Sequence, residues 1–72
     1  METISNETRA VRAASALDAH KRMLGESGPS GTDEDVIDLL TDLRHYCKAQ
    51  GISFRSSVNM SEIHFNEEAK TR

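Results

Sequence analysis

Four acidic side chains lie close together in the middle of this 72-residue sequence, at spacings that would let their carboxylates act together in binding or catalysis. They are Glu34, Asp35, Asp38 and Asp42. Residues three, four and seven positions apart share one face of a helix, so the three aspartates would form a single acidic stripe. Such a stripe could bind a basic partner protein or, with carboxylates in place of phosphates, the groove of a nucleic-acid-binding protein. The alternative is a solvated face that Arg9 and Arg12 partly neutralise.

Catalytic and metal-binding patterns are missing around these carboxylates. Asp35 and Asp38 form one carboxylate pair without a second pair, and no Ser/His/Asp context or glycine-rich phosphate loop is present. His45, Cys47 and His64 could approach one another across two helices, but residues 45 and 47 point in different directions on a helix. We therefore predict a non-enzymatic protein without a cofactor or a metal site, and Cys47 as a small packed side chain.

The acidic stripe requires a helix, and residues 33–50 carry strong helix signals. Thr32 is a suitable N-cap, and three acidic residues follow it in the first turn, where the helix dipole favours negative charge. A second face is apolar and consists of Val36, Leu39, Leu40, Leu43 and Cys47. Gly51 is predicted to end the helix in the left-handed conformation.

Residues 54–68 are predicted to form a helix that completes a helix–Gly–helix hairpin. Ser53 is its expected N-cap, and Phe54, Val58 and Phe65 recur at spacings of four and seven. A strand over residues 52–58 is the competing interpretation, and the loss of strict alternation after Phe54 disfavours it. The side chains expected in the core or in a dimer seam are Leu39, Leu43, Val58 and Phe65.

The N-terminal part is predicted to contain an Ala-rich helix over residues 6–24 and a linker over residues 25–31. Ser5 is a plausible N-cap, and alanines recur at helical spacing with Leu17 and Leu24. Alanine favours helix but buries little surface, so the docking of this helix is weakly specified. Gly, Pro and Ser dominate the linker. The fold class is therefore all-α, in one small domain.

Composition limits the kinds of partner. The net charge is −3, which argues against a nucleic-acid partner. Cys47 is the single cysteine, so no intramolecular disulfide can form, and we expect a reducing compartment, the cytoplasm. No apolar run approaches the roughly 18 residues of a membrane span, and Met1–Ser5 does not resemble a secretory signal. Because so short a chain builds a small core, we expect a homo-oligomer, in the simplest case a homodimer.

Part of the sequence resembles a known group of proteins. The matching residues run from Asp38 to Cys47, then from Gly51 to Phe54, and then from His64 to Glu68. This DLLxDLRHYC…GIxF…HFxEE pattern is similar to small, mostly uncharacterised helical proteins of phages, prophages and plasmids. It spans roughly half of the chain and none of the first helix. The resemblance implies the hairpin and a mobile-element origin, and it implies no binding residues.

Two functional hypotheses follow from these observations. The first is a small interaction protein that binds and modulates, for example by inhibition, a host protein such as a defence complex, through Glu34, Asp35, Asp38 and Asp42. The second is a helix-turn-helix DNA-binding regulator, with Gly51 in the turn. Against the second stand Gln50, where an apolar residue is expected, and the carboxylates of the helix that would read the DNA.

Overall fold

The computed structural model describes residues 4–70, which form three α-helices. These are α1 (Asn6–Met23), α2 (Asp33–Gln50) and α3 (Phe54–Ala69). No strand occurs within the described residues, so the all-α prediction is confirmed. Residues 54–58, the overlap with the competing strand, lie in the first turns of α3, where the Ser53 hydroxyl accepts a hydrogen bond from the Ser56 amide at 3.1 Å.

Local signals fix both ends of α2. The Thr32 hydroxyl accepts a hydrogen bond from the Asp35 amide, and the Asp35 carboxylate accepts one from the Thr32 amide, which is a complete capping box. At the other end Gly51 adopts a φ of 72°. The Ile52 amide donates to the Cys47 carbonyl at 2.9 Å and the Gly51 amide to the Lys48 carbonyl, the two bonds of a Schellman motif.

Local hydrogen bonds define both ends of the N-terminal helix α1. The Ser5 hydroxyl accepts a hydrogen bond from the Thr8 amide at 3.1 Å, as expected for an N-cap. The helix ends at Met23, and Leu24 serves as its C-cap, one residue earlier than the sequence predicted. Beyond its end Gly25 adopts a φ of 75°. The Gly25 amide donates to the Arg22 carbonyl at 3.0 Å, and the Glu26 amide donates to the Lys21 carbonyl at 3.3 Å. Because its inner face is mostly alanine, no residue of α1 is fully buried.

The three helices contact one another in a ring. The C-terminal half of α1 packs against α2, and α2 packs against α3 beyond the turn at Gly51. The end of α3 then returns to the start of α1. There the Asn6 side-chain amide donates to the Glu68 carbonyl at 3.0 Å, and the Arg9 guanidinium pairs with the Glu68 carboxylate at 3.2 Å. These contacts between distant parts of the sequence connect the start of α1 with the end of α3.

The core inside this ring is small. Within residues 4–70, Cys47 is the only buried apolar residue. Of the side chains predicted for the core or a dimer seam, Leu43, Val58 and Phe65 are 42%, 43% and 67% exposed, and Leu39 is partly buried. The accessible surface is 6197 Å², whereas a compact monomer of this mass exposes about 4,500 Å². The radius of gyration is 14.0 Å, against about 11 Å for a compact chain of this length.

The helices differ from membrane-spanning segments in their polarity. Within residues 4–70, no helix is both long enough and apolar enough to span a lipid bilayer.

Gly51→Ala should destabilise the protein by about 1 kcal/mol, because an L-residue is strained in the left-handed conformation. No atom lies within 4 Å of a β-carbon built at this position, so the loss reflects backbone strain rather than a clash. Gly51→Asn should lose less, since asparagine tolerates positive φ. Urea unfolding followed by circular dichroism measures both variants, and an Ala variant as stable as wild type would contradict the argument.

Candidate partner-binding face

Asp35, the first aspartate of the predicted acidic stripe, lies inside the fold. Its residue surface is 6% exposed. One carboxylate oxygen accepts the Thr32 amide at 3.1 Å, and the other accepts the Lys21 ammonium at 3.3 Å. Lys21 also donates to the Pro29 carbonyl at 2.9 Å. The structure therefore corrects the predicted partner-binding role of Asp35, because both of its oxygens are already engaged within the chain.

The pKa of Asp35 is lowered below its ordinary value. The hydrogen bond from the Thr32 amide is the largest cause, and burial opposes it. The Lys21 ammonium lowers the pKa further through its hydrogen bond and its charge. Both favourable contacts stabilise the ionised carboxylate, so Asp35 supports the junction of α1, the linker and α2 only while it is charged.

Asp42, at the other end of the stripe, also has a partner in α1. One of its carboxylate oxygens lies 2.7 Å from the His20 ring nitrogen Nε2. Since an ionised carboxylate only accepts hydrogen bonds, His20 is the donor. The His20 side chain is 14% exposed and that of Asp42 is 55% exposed, so Asp42 still presents surface to solvent.

Sequence reasoning missed that α1 neutralises this stripe. The predicted cations were Arg9 and Arg12, but Arg9 pairs with Glu68 at the far end of the molecule. His20 and Lys21 stand next to each other at the end of α1, a short linker away from α2. That adjacency was the available signal, because a short linker brings the last turn of one helix to the first turns of the next.

Of the four acidic residues predicted to bind a partner, Glu34 and Asp38 have no partner within residues 4–70. Glu34 is exposed and Asp38 is partly exposed. Neither side chain has an ion pair or a hydrogen bond to another residue of the described range 4–70. Asp38 and Asp42 are one helical turn apart, so their like charges disfavour each other. Asp38 is thus the carboxylate with most to gain from an external cation.

A solvent-open groove lies beside these carboxylates, between α2 and α3. It has a volume of 470 Å³ and is lined by Ile37, Leu40, Thr41, Arg44, Phe54 and Val58. Ile37 is 58% exposed and Leu40 is 46% exposed. The Arg44 guanidinium lies 5.5 Å from the centre of the Phe54 ring, which is a cation–π contact. The groove adjoins a second pocket, which shares Arg44 with it and is also lined by His45 and Lys48.

The residues considered for metal binding do not assemble into a site. Across residues 4–70, no three side chains of His, Cys, Asp or Glu are grouped so that they could hold a metal ion. Cys47 is a buried free thiol on the inner face of α2.

Asp35→Asn should reduce stability at neutral pH and flatten the acid limb of the stability profile. The pKa of Asp35 is lower in the folded chain, so its contribution is present above the unfolded value of about 3.9 and is lost as pH falls through the folded value. Thermal unfolding between about pH 6 and pH 2 measures this loss. Asp18→Asn, which alters an exposed carboxylate paired with Arg22, is the control. Equal acid sensitivity of wild type and Asp35→Asn would contradict the assignment.

Comparisons with known proteins add no relative to this description. No protein-family model, no curated protein and no solved structure matches the chain.

Proposed function

We propose that this chain is a small non-catalytic interaction protein of a phage or other mobile element. In this proposal it binds a host protein in the bacterial cytoplasm and modulates it, for example by inhibiting a defence complex. The resemblance of residues 38–68 to mobile-element proteins supports the origin. The single cysteine fits a reducing compartment.

The exposed apolar surface carries the proposal. Three helices contact one another, yet Ile37, Leu40 and Val58, which line the groove, are 58%, 46% and 43% exposed. Exposed apolar residues that form one groove mark a surface that another chain covers. A buried apolar contact of this kind gains roughly 25 cal/mol per Å² removed from water. Binding would therefore supply the core that the chain alone does not build.

Charge gives the groove its selectivity. Glu34 and Asp38 lie toward the start of α2 and have no ionic partner among residues 4–70, and Arg44 and Lys48 lie toward its end, where both line the adjoining pocket. A host protein that offers a basic patch and an adjacent apolar side chain would match the acidic end. Asp42 contributes less, because His20 already holds one of its oxygens.

Asp38→Lys should abolish capture of a host protein while leaving helicity unchanged. The substitution replaces an unpaired carboxylate at the groove with a cation that repels a basic partner. Affinity capture on tagged wild-type and variant chains, with mass-spectrometric identification, measures the effect, and circular dichroism checks the helices. Glu26→Lys, an equal charge change in the linker, is the control and should retain the partner. A partner retained by Asp38→Lys would contradict the acidic contact.

The helix-turn-helix alternative has one structural observation in its favour, the passage of α2 through Gly51 into α3 with α1 packed against α2. The charges of α3 oppose it. Its basic side chain is Arg55, whereas Glu62, Glu67 and Glu68 would face phosphates unfavourably.

Wild-type protein should show no salt-sensitive shift with duplex DNA and no retention on heparin at low ionic strength, because a net charge of −3 repels the backbone. A gel shift over a salt series measures this directly. A shift that weakens steeply as salt rises would favour the regulator over the interaction protein.

A further inference from the structure

One face of α2 is turned toward neither α1 nor the inside of the ring. Its residues follow helical spacings of three and four and are Glu34, Ile37, Thr41, Arg44 and Lys48. We refer to these five residues as the open face. All five are exposed, and three of them line the groove beside α3. Asp38 borders the open face on one side, so its carboxylate belongs to the same surface.

The charges of the open face have a two-fold pattern. Thr41 lies at the middle of α2, with Glu34 seven residues before it and Lys48 seven residues after it. Asp38 and Arg44 lie three residues before and after it. Turning a second α2 antiparallel about Thr41 therefore places Glu34 of each copy opposite Lys48 of the other, whereas Asp38 and Arg44 lie on opposite flanks of the helix, about 120° apart, and do not meet. In an isologous contact the Glu34–Lys48 pair forms twice, so the dimer gains two ion pairs.

The middle of the open face can be buried without an unpaired polar group. The Thr41 hydroxyl donates to the Ile37 carbonyl at 2.8 Å, so its methyl group is free to face a neighbour. Leu40 of α2 and Phe54 and Val58 of α3 form the apolar walls of the groove. Antiparallel pairing about Thr41 would bring Ile37 of each copy toward the groove of the other, where these walls can cover it.

The surface available on the chain matches what a stable dimer needs. The accessible area of 6197 Å² exceeds the value for a compact monomer by roughly 1,700 Å². A standard interface takes about 800 Å² from each partner. The excess over a compact monomer is therefore larger than the area that one partner contributes to a standard interface.

We propose that in the free protein a second copy of this chain covers the open face, with α2 antiparallel to α2 about a two-fold axis at Thr41. Glu34 of each copy then pairs with Lys48 of the other. This surface is the one assigned above to a host protein, and in that respect the inference rests on the proposed function. The second copy holds the groove closed until the host protein replaces it.

Charge swapping tests the pairing. Sedimentation velocity at about 100 μM, above the micromolar limit for interfaces of this size, should show wild type as a dimer. Glu34→Lys alone and Lys48→Glu alone each place like charges opposite one another twice, so each should dissociate at least about tenfold more readily. An equimolar mixture of the two variants restores two opposite-charge pairs and should sediment as a heterodimer.

The mixture keeps the test independent of folding defects, because a variant that merely unfolds is not rescued by another variant. The double variant Arg12→Glu/Glu26→Lys, which changes exposed charges away from the open face, should remain a dimer. A monomeric wild type would overturn the inference and leave the face to the host protein. Single variants that dimerise as wild type does, or a mixture that stays monomeric, would also overturn it.

The outcomes separate the dimer from the proposed function. A dimer that follows the charge swaps while affinity capture finds no host protein would retain the pairing and remove the host interaction. A captured host protein together with a monomeric chain would retain the host interaction and remove the dimer. If both hold, adding the captured protein should convert the dimer into a complex that contains one copy of the chain, and a complex that retains the α2–α2 dimer would overturn the exchange.

Discussion

The ion pair between Lys21 and Asp35 organises the rest of the molecule. Asp35 closes the capping box with Thr32, and the same carboxylate receives Lys21 from the last turn of α1. Lys21 also binds the linker through the Pro29 carbonyl. The alanine face of α1 buries too little surface to select one orientation, so directional polar contacts have to do so. His20 and Asp42 add a second contact of this kind.

This mode of docking explains why the chain leaves so much of α2 uncovered. α1 faces the apolar stripe of α2 with alanines and Leu17, which are too small to cover it fully, and α3 covers a different flank beyond the turn at Gly51. The third flank keeps Ile37 and Thr41 in solvent. In a 72-residue chain with 36% apolar residues, the proposed partner chain would complete the core.

Polarisation along α2 connects folding with binding. Acidic residues at the start of a helix and basic residues at its end both favour the helix dipole, so this order stabilises α2 by itself. The same order makes the helix complementary to an antiparallel copy, because its start and its end carry opposite charges. In the proposed dimer a single distribution of charges would serve local stability and recognition, with Glu34 and Lys48 contributing to both.

The sequence by itself determined the helices and most of their boundaries. Thr32, Gly51 and Ser53 act through atoms within a few residues, and short-range hydrogen bonds can be deduced from residue type and spacing. Helical spacing also identified the acidic set around Asp38. Only the tertiary structure decided which of these carboxylates are free. Whether Asp35 and Asp42 face a partner or the chain itself depends on where α1 lies, and alanine, with its small contact area, leaves no pattern in the sequence that specifies that position.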